Sequence, residues 1–424
     1  MTATADVETR GDSRRAVAAA VVGNVLEWYD FAVYGYFAAM LGKNFFPSGD
    51  DVTSLLHSFA AFGVGFVVRP LGGLIVGRMG DVQGRKAALV FTLLLMAAGT
   101  AGIGVIPDAR RIGLWAPALL VALRLMQGFS AGGEWAGSTA YIVEWAPRHR
   151  RGFYGSFQQS AVAGGLLLGS GAAALLASLI TRAQMEQWGW RIPFLLGGVL
   201  APIGLYMRRN IGETPALLAA RKTAPPSIAS PHVLLAAKAF GVTVLWTVSY
   251  YMMLTYMPTF TERFAGLDSV QALWSNTLGL VVIVLMVPLT GRVSDRVGRK
   301  PLLLASCLAF AFLSYFLFRL LAARPGLATV AGVQVAFGLM IALFSGPGPA
   351  AIAEIFPTRS RSTWMSAGYT LSTAIFGGFA PFIATWLIAA TGSPTAPAYY
   401  VMAAAAVSTI VIASLRETGH DELR

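Results

Sequence analysis

Twelve stretches of mostly apolar residues recur along the chain, at 16–39, 55–76, 87–106, 117–143, 153–180, 191–208, 235–259, 271–291, 301–321, 328–352, 364–390 and 397–415. Each is long enough to cross a bilayer core as a helix, which takes about 20 residues. The polar segments between them are short, except for 209–234, where Pro225, Pro226 and Pro231 interrupt any regular element. The pattern predicts an all-α membrane protein of twelve transmembrane helices, six on either side of that linker. Its organisation reads as a tail over 1–15, a bundle over 16–208, the linker over 209–234, a second bundle over 235–415 and a tail over 416–424.

Composition agrees with this reading. Only 12% of the 424 residues are charged and 56% are hydrophobic, whereas a soluble protein carries about 25% charge to cover its surface. The net charge of +12 raises nucleic acid as a partner, but its placement excludes that reading. Most of the 32 Lys and Arg fall in the tails and in alternate loops, around 78–86, 148–151, 208–238, 292–300, 359–361 and 416–424. The positive-inside rule then predicts a bacterial-type cytoplasmic (inner) membrane protein, multi-pass, with both termini cytoplasmic. Cys307 is the single cysteine, so no intrachain disulfide is expected. Residues 1–15 carry both signs of charge and no apolar core, so no cleaved signal peptide is expected.

The two sets of six spans echo one another. "GRMGDVQGRK" at 77–86 returns as "GRVSDRVGRK" at 291–300, an offset of 214 residues, and aligns Asp81 with Asp295 and Arg85 with Arg299. "EWAPRHRRG" at 144–152 returns as "EIFPTRSRS" at 354–362, an offset of 210, and aligns Glu144 with Glu354 and Arg151 with Arg361. Near-equal offsets in equivalent loops imply duplication of a six-span unit. Parallel six-helix halves about an axis normal to the membrane are the plan of a large transporter class, with a central cavity between the halves. In that plan the acids of these loops reach neighbouring helix N-termini, and the arginines meet lipid or partner carboxylates. All eight residues are therefore candidate gating groups.

Duplicated G-R-x-x-D-x-x-G-R-K loops between spans 2–3 and 8–9 resemble the major facilitator superfamily. "GNVLEWYDFAVYGY" (23–36), "FVVRPLGG" (66–73), "RLMQGFSAGGEWAGS" (124–138), "RRGFYGSFQQS" (150–160), "WGWRIPFLLGG" (188–198), "YYMMLTYMPTF" (250–260) and "STAIFGGFAPFI" (372–383) further resemble its metabolite:proton symporter family. The resemblance covers essentially the whole chain. It implies the major facilitator fold, alternating access and uptake driven by a proton gradient. Its substrates are citrate, dicarboxylates, 2-oxoglutarate, shikimate, and proline or betaine.

Charges at membrane depth are costly, about 3 kcal/mol each on insertion scales, and by default mark function. Here they are Glu27, Asp30, Arg69, Arg124 and Glu134, all in the first six spans. Asn24, Glu27, Asp30 and Tyr34 are spaced by three and four and share one helix face. Arg124, Gln127 and Glu134 share another, with Arg124 and Glu134 roughly 15 Å apart along the axis, too far to pair directly. A carboxylate there has its proton affinity raised by desolvation and lowered by a nearby arginine. Glu27, Asp30 and Glu134 are therefore candidate proton-coupling groups, with Glu27 preferred over Asp30. An ion pair of span 1 with Arg69 or Arg124 is the structural alternative. Candidate substrate contacts are Arg69, Arg124, Gln127, Asn24, Tyr34 and Gln158, with neutral groups Tyr251, Tyr256, Asn276 and Tyr369 from the other half. Arg191, between Trp188 and Trp190, reads as an interfacial anchor.

Arginine binds carboxylate bidentately, and two buried arginines fit an anion with more than one carboxylate. The expected function is proton-coupled symport of citrate, another tricarboxylate or a dicarboxylate, by a chain expected to be monomeric. The alternative is a proline or glycine betaine symporter, which "TYMPTF" and "PAYYVM" resemble. The osmosensing member of that family carries a long C-terminal coiled-coil extension, whereas here the tail after span 12 is short, which weighs against the alternative. No metal spacing, catalytic triad or nucleotide loop is evident, so neither a cofactor nor an enzyme is expected. The latch loops argue against a channel.

Overall fold

The computed structural model describes residues 2–48, 51–209, 212–223, 232–324 and 326–423. Among these, nine helices are long and apolar enough to cross a membrane by length and composition alone. Twelve long helices nevertheless follow one another in register with the apolar stretches. They are α1 (Thr2–Tyr36), α2 (Asp51–Val82), α3 (Arg85–Val105), α4 (Trp115–Trp145), α5 (Arg151–Leu179), α6 (Arg191–Arg209), α7 (Val233–Phe264), α8 (Ser269–Val297), α9 (Lys300–Ala323), α10 (Leu327–Ile355), α11 (Arg361–Thr391) and α12 (Pro397–Ser414). α1, α4 and α5 fall outside the nine; α1 and α4 carry Glu27, Asp30, Arg124 and Glu134 among their buried residues. No strand occurs among the described residues.

The first six helices pack as α1 on α5, α2 on α4 and α3 on α6; the last six pair α8 with α10, α9 with α12 and α7 with α11. The two sets meet chiefly along α5 against α8 and α2 against α11. Without a hydrophobic drive between helices in lipid, close packing comes from small residues. A Cβ added at Gly72, Gly128 or Gly132 would run into the backbone of Phe129, Gly65 or Arg69 respectively, so α2 and α4 touch backbone to backbone. That contact sets Arg69 on α2 beside Arg124 on α4.

The middle of α1 packs beside the start of α3 and the end of α4, where Val17, Leu89, Tyr141 and Ile142 form one cluster. The C-terminal tail lies on the start of α9. The repeated turns close this terminal face. Asp81 accepts from the backbone N–H of Ser362 (3.2 Å) and Thr363 (2.9 Å), at the start of α11. Asp295 accepts from the N–H of Gly152 (2.7 Å) and Phe153 (2.9 Å), at the start of α5. Each carboxylate thus sits on a helix N-terminus of the other set of six, where unanswered N–H groups and the helix dipole favour an anion. Arg85 pairs with Asp81 and with Glu144 (3.1 Å), and Glu144 also takes Arg361 (2.6 Å). In the second copy Arg299 pairs with Asp295 (2.8 Å) and Glu354 (3.2 Å). Arg151, the counterpart of Arg361, instead donates to the Asp421 carbonyl at 2.8 Å.

A third repeat joins the linker to the C-terminal tail. Thr214 donates to Glu144 at 2.5 Å, and Thr418 donates to Glu354 at 2.7 Å. The preceding acids serve the two repeated turns. Gly84 and Gly298 both adopt positive φ, and an added Cβ would strike Glu213 and Glu417 respectively. Glu417 accepts from the N–H groups of Arg299 and Lys300, each at 2.8 Å, at the start of α9. Burial alone would raise its pKa; backbone N–H groups from Arg299, Gly419, Lys300 and Thr418 outweigh that and hold it below the ordinary carboxylate value.

Two outcomes follow from this packing. Gly132→Val should force α2 from α4 and lower stability by about 2 kcal/mol or more, read as a drop in Tm. Gly137→Ala, whose added Cβ meets only Leu89 at 3.5 Å, should leave Tm unchanged; equal effects would contradict backbone contact as the cause. A depressed folded pKa means that the Glu417 anchorage is complete above the ordinary carboxylate pKa and fades as pH falls through the folded value. Protection of the Arg299 and Lys300 amides, taken relative to the intrinsic exchange rate at each pH, should therefore fall on acidification, and should already be low at pH 7 in Glu417→Gln.

Candidate functional site

The buried charges of the first six helices gather around aromatic rings. Arg124 lies over the rings of Tyr34 (4.3 Å), Phe31 and Phe62 (each 5.1 Å). Arg69 lies over Phe66 (4.1 Å), Phe31 (4.5 Å) and Trp28 (6.0 Å). The two guanidinium groups therefore share Phe31, and ring quadrupoles supply negative potential that lipid cannot. Their hydrogen bonds differ. Arg124 donates to Gln127 Oε1 at 2.8 Å, Gln127 Nε2 donates to Thr100 at 2.8 Å, and Thr100 donates to Asp30 Oδ2 at 2.5 Å. Arg69 reaches the Tyr251 hydroxyl at 3.5 Å, at the limit of a hydrogen bond. Nε and Nη2 of both arginines are without hydrogen-bond partners, as is Asp30 Oδ1.

Three buried carboxylates also gather in one place. Glu27, Asp30 and Glu134 line one small cavity with Thr92, Ser130, Met96 and Gly197, between α1, α3, α4 and α6. Its volume is about 10 Å³, enough for one water. Glu134 is bonded by the Thr92 hydroxyl, and a Cβ at Gly197 would press on Asp30 Oδ1 at 2.6 Å.

A second cavity, of about 30 Å³, opens between the two sets of six. Trp28, Gln159, Val162 and Leu166 line one side; Trp246, Thr247, Tyr250, Tyr251, Leu254, Thr255 and Tyr369 line the other. The backbone of α7 explains the second wall. It runs α-helical to Tyr250 and then makes one wide π turn over Tyr251–Tyr256 before resuming at Met257–Phe264. In a regular helix the Leu254 carbonyl would receive the N–H of Pro258, which has none. Asn276 of α8 donates to that carbonyl at 3.2 Å instead. Asn276 therefore repairs α7 and is not on the cavity wall, contrary to the sequence expectation.

Other expected contacts divide. Tyr251 and Tyr369 line the cavity and Arg69 adjoins it through Tyr251 and Trp28; Gln127 and Arg124 stand behind it. Tyr34 donates to the Ser58 carbonyl at 3.1 Å, and Tyr256 packs on Phe260 away from the cavity. Gln158 is one position out of register: its neighbour Gln159 lines the wall, while the Gln158 carbonyl receives Asn24 Nδ2 at 3.4 Å. Arg191 donates to the carbonyls of Gly104 (3.0 Å) and Ile106 (2.6 Å) and lies over Trp190, tying α6 to the end of α3. Trp28, Gln159 and Trp246 were not singled out by sequence; each lies in an apolar run where aromatic residues are common.

The chain is similar to known proteins along most of its length. The family model "Sugar (and other) transporter" matches residues 16–230, and "Major Facilitator Superfamily" matches 265–423. A proline/betaine transporter of Salmonella typhimurium is 35% identical over 98% of this chain and 85% of its own length. A glycine betaine/proline/ectoine/pipecolic acid transporter of Dickeya dadantii is 34% identical over the same shares, and a putative proline/betaine transporter of Staphylococcus aureus is 36% identical over 95% and 88%. Among solved structures, a proton:xylose symporter bound to 6-bromo-6-deoxy-D-glucose superposes with a TM-score of 0.82 over 97% of both chains at 18% identity. The partially occluded inward-open form of an Escherichia coli xylose transporter gives 0.72, covering 97% of this chain and all of its own, at 19% identity. With relatives this similar along nearly its whole length, the chain belongs to the major facilitator superfamily and is a multi-pass membrane transporter, not an enzyme.

Proposed function

We propose that this transporter takes up zwitterionic osmolytes of the glycine betaine and proline kind by proton symport, across a bacterial-type cytoplasmic membrane with both termini inside. This corrects the expectation of citrate or another carboxylate. That expectation rested on two buried arginines and a short tail, whereas the relatives matched along 95% or more of the chain are named as proline/betaine transporters, the one from Staphylococcus aureus as a putative one.

The observation that carries the reading is the aromatic cavity beside Arg69. A quaternary ammonium has no N–H to donate, so it is recognised by ring faces; Trp28, Trp246, Tyr250, Tyr251 and Tyr369 offer them. A carboxylate wants paired N–H donors, and Arg69 has Nε and Nη2 to give. A tricarboxylate would meet aromatic walls where it needs further cations. Orientation is supported by the exposed Arg78, Arg148, Arg150, Arg292 and Arg296 on the terminal face, as the positive-inside rule requires.

A zwitterion carries no net charge, so its uphill uptake needs a co-transported ion. One proton moved down the membrane potential supplies about 2.3 kcal/mol per 100 mV. In this reading Asp30, rather than the Glu27 preferred on sequence, is the coupling group, because the Thr100–Gln127 chain ties its charge to Arg124.

The purified protein in liposomes should accumulate labelled glycine betaine under an inward proton gradient. Proline should compete and citrate should not; citrate uptake without betaine uptake would overturn the proposal. Asp30→Asn should abolish accumulation while leaving betaine counterflow. Accumulation that survives the substitution would remove Asp30 from coupling.

A further inference from the structure

One indole controls three walls of the substrate cavity without lining it. Trp135 of α4 is buried, and its ring stacks on Tyr369 with centroids 3.9 Å apart and planes within 12°. It meets Trp246 at 5.6 Å and 82°. Its Nε1–H donates to Gln159 Oε1 at 3.0 Å. Tyr369, Trp246 and Gln159 all line the cavity. Trp135 and Gln159 belong to the first six helices, Trp246 and Tyr369 to the last six, so the contacts cross the interface between the two sets.

The angles define a shape. Because Tyr369 is parallel to Trp135 and Trp246 is nearly perpendicular to it, Tyr369 and Trp246 stand at close to a right angle. Trp135 covers one face of Tyr369 and leaves the other for the cavity. Trp246 is held on its own side by the Ser345 hydroxyl at 3.0 Å. The result is a fixed aromatic corner that presents two π surfaces to a rounded cation. The Gln159 hydrogen bond acts in the same direction. The indole N–H takes one of the two lone pairs of Oε1 and fixes its orientation, which weakens it as an acceptor for a secondary ammonium such as that of proline.

We infer that Trp135 is a positioning residue that sets the preference for a quaternary over a secondary ammonium. It orients Tyr369 and Trp246 and occupies one lone pair of Gln159 Oε1. The inference rests on the osmolyte reading above and names what that site discriminates.

The test measures KM and kcat for glycine betaine and for proline in liposomes containing wild type, Trp135→Phe or Trp135→Leu. Trp135→Phe keeps a stacking ring and frees Gln159. Betaine KM should stay within about twofold and proline KM should fall, moving the KM ratio several-fold toward proline at similar kcat. Trp135→Leu removes the corner and should raise betaine KM about tenfold, the scale of a cation–π contact, with less effect on proline. If Leu does not fold, the Phe variant alone decides through the KM ratio. Equal shifts for both substrates, or a change in kcat alone, would overturn the inference while leaving osmolyte transport intact. A wild type that transports neither substrate would refute the osmolyte reading, and this inference with it.

Discussion

Two guanidinium groups lie side by side at membrane depth, and much of the first six-helix set is arranged to make that tolerable. Lipid offers no counter-charge and no hydrogen bonds, so the protein must supply both. It does so with rings: Phe31 is shared, Phe62 and Tyr34 serve Arg124, and Phe66 and Trp28 serve Arg69. Backbone contact of α2 with α4, allowed by Gly72, Gly128 and Gly132, brings the two groups together. The rings stabilise charge without consuming the N–H donors, and this leaves Arg69 able to take a carboxylate.

The same economy of charge appears at the terminal face. Asp81 and Asp295 each hold the N-terminus of a helix from the opposite set, and Glu144 joins arginines from both. Alternating access requires these contacts to part together while the α1–α5 and α8–α10 pairs stay packed. Buried ion pairs suit that task, since desolvation offsets much of their attraction and the net cost of separating them into water is modest. The cavity between the two sets is small, about 30 Å³, so holding a substrate there needs the two sets to move.

Much of this was legible in the sequence, for reasons of scale. Twelve apolar stretches are imposed by the bilayer, and duplication leaves the same acid and arginine at matching places in two loops. Five charges inside apolar runs identify themselves. The missed features depend on contacts between distant segments. Gln158 and Gln159 are adjacent, and helix rotation alone decides which one faces the cavity. Asn276 resembles a substrate ligand until Pro258 is seen to leave the Leu254 carbonyl unanswered. The Glu213–Thr214 and Glu417–Thr418 echo is only a dipeptide, too short to stand out. Above all, two buried arginines suggest a polyanion, whereas the aromatic residues that α1, α7 and α11 bring around one cavity agree with the zwitterion that "TYMPTF" and the relatives suggest.

The most direct measurement of that central claim is an experimental structure with glycine betaine bound. The account predicts its carboxylate within hydrogen-bond distance of Arg69 and its trimethylammonium against Tyr369 and Trp246. A carboxylate seated on Arg124, or an ammonium held by Glu27 or Asp30 away from the rings, would contradict it.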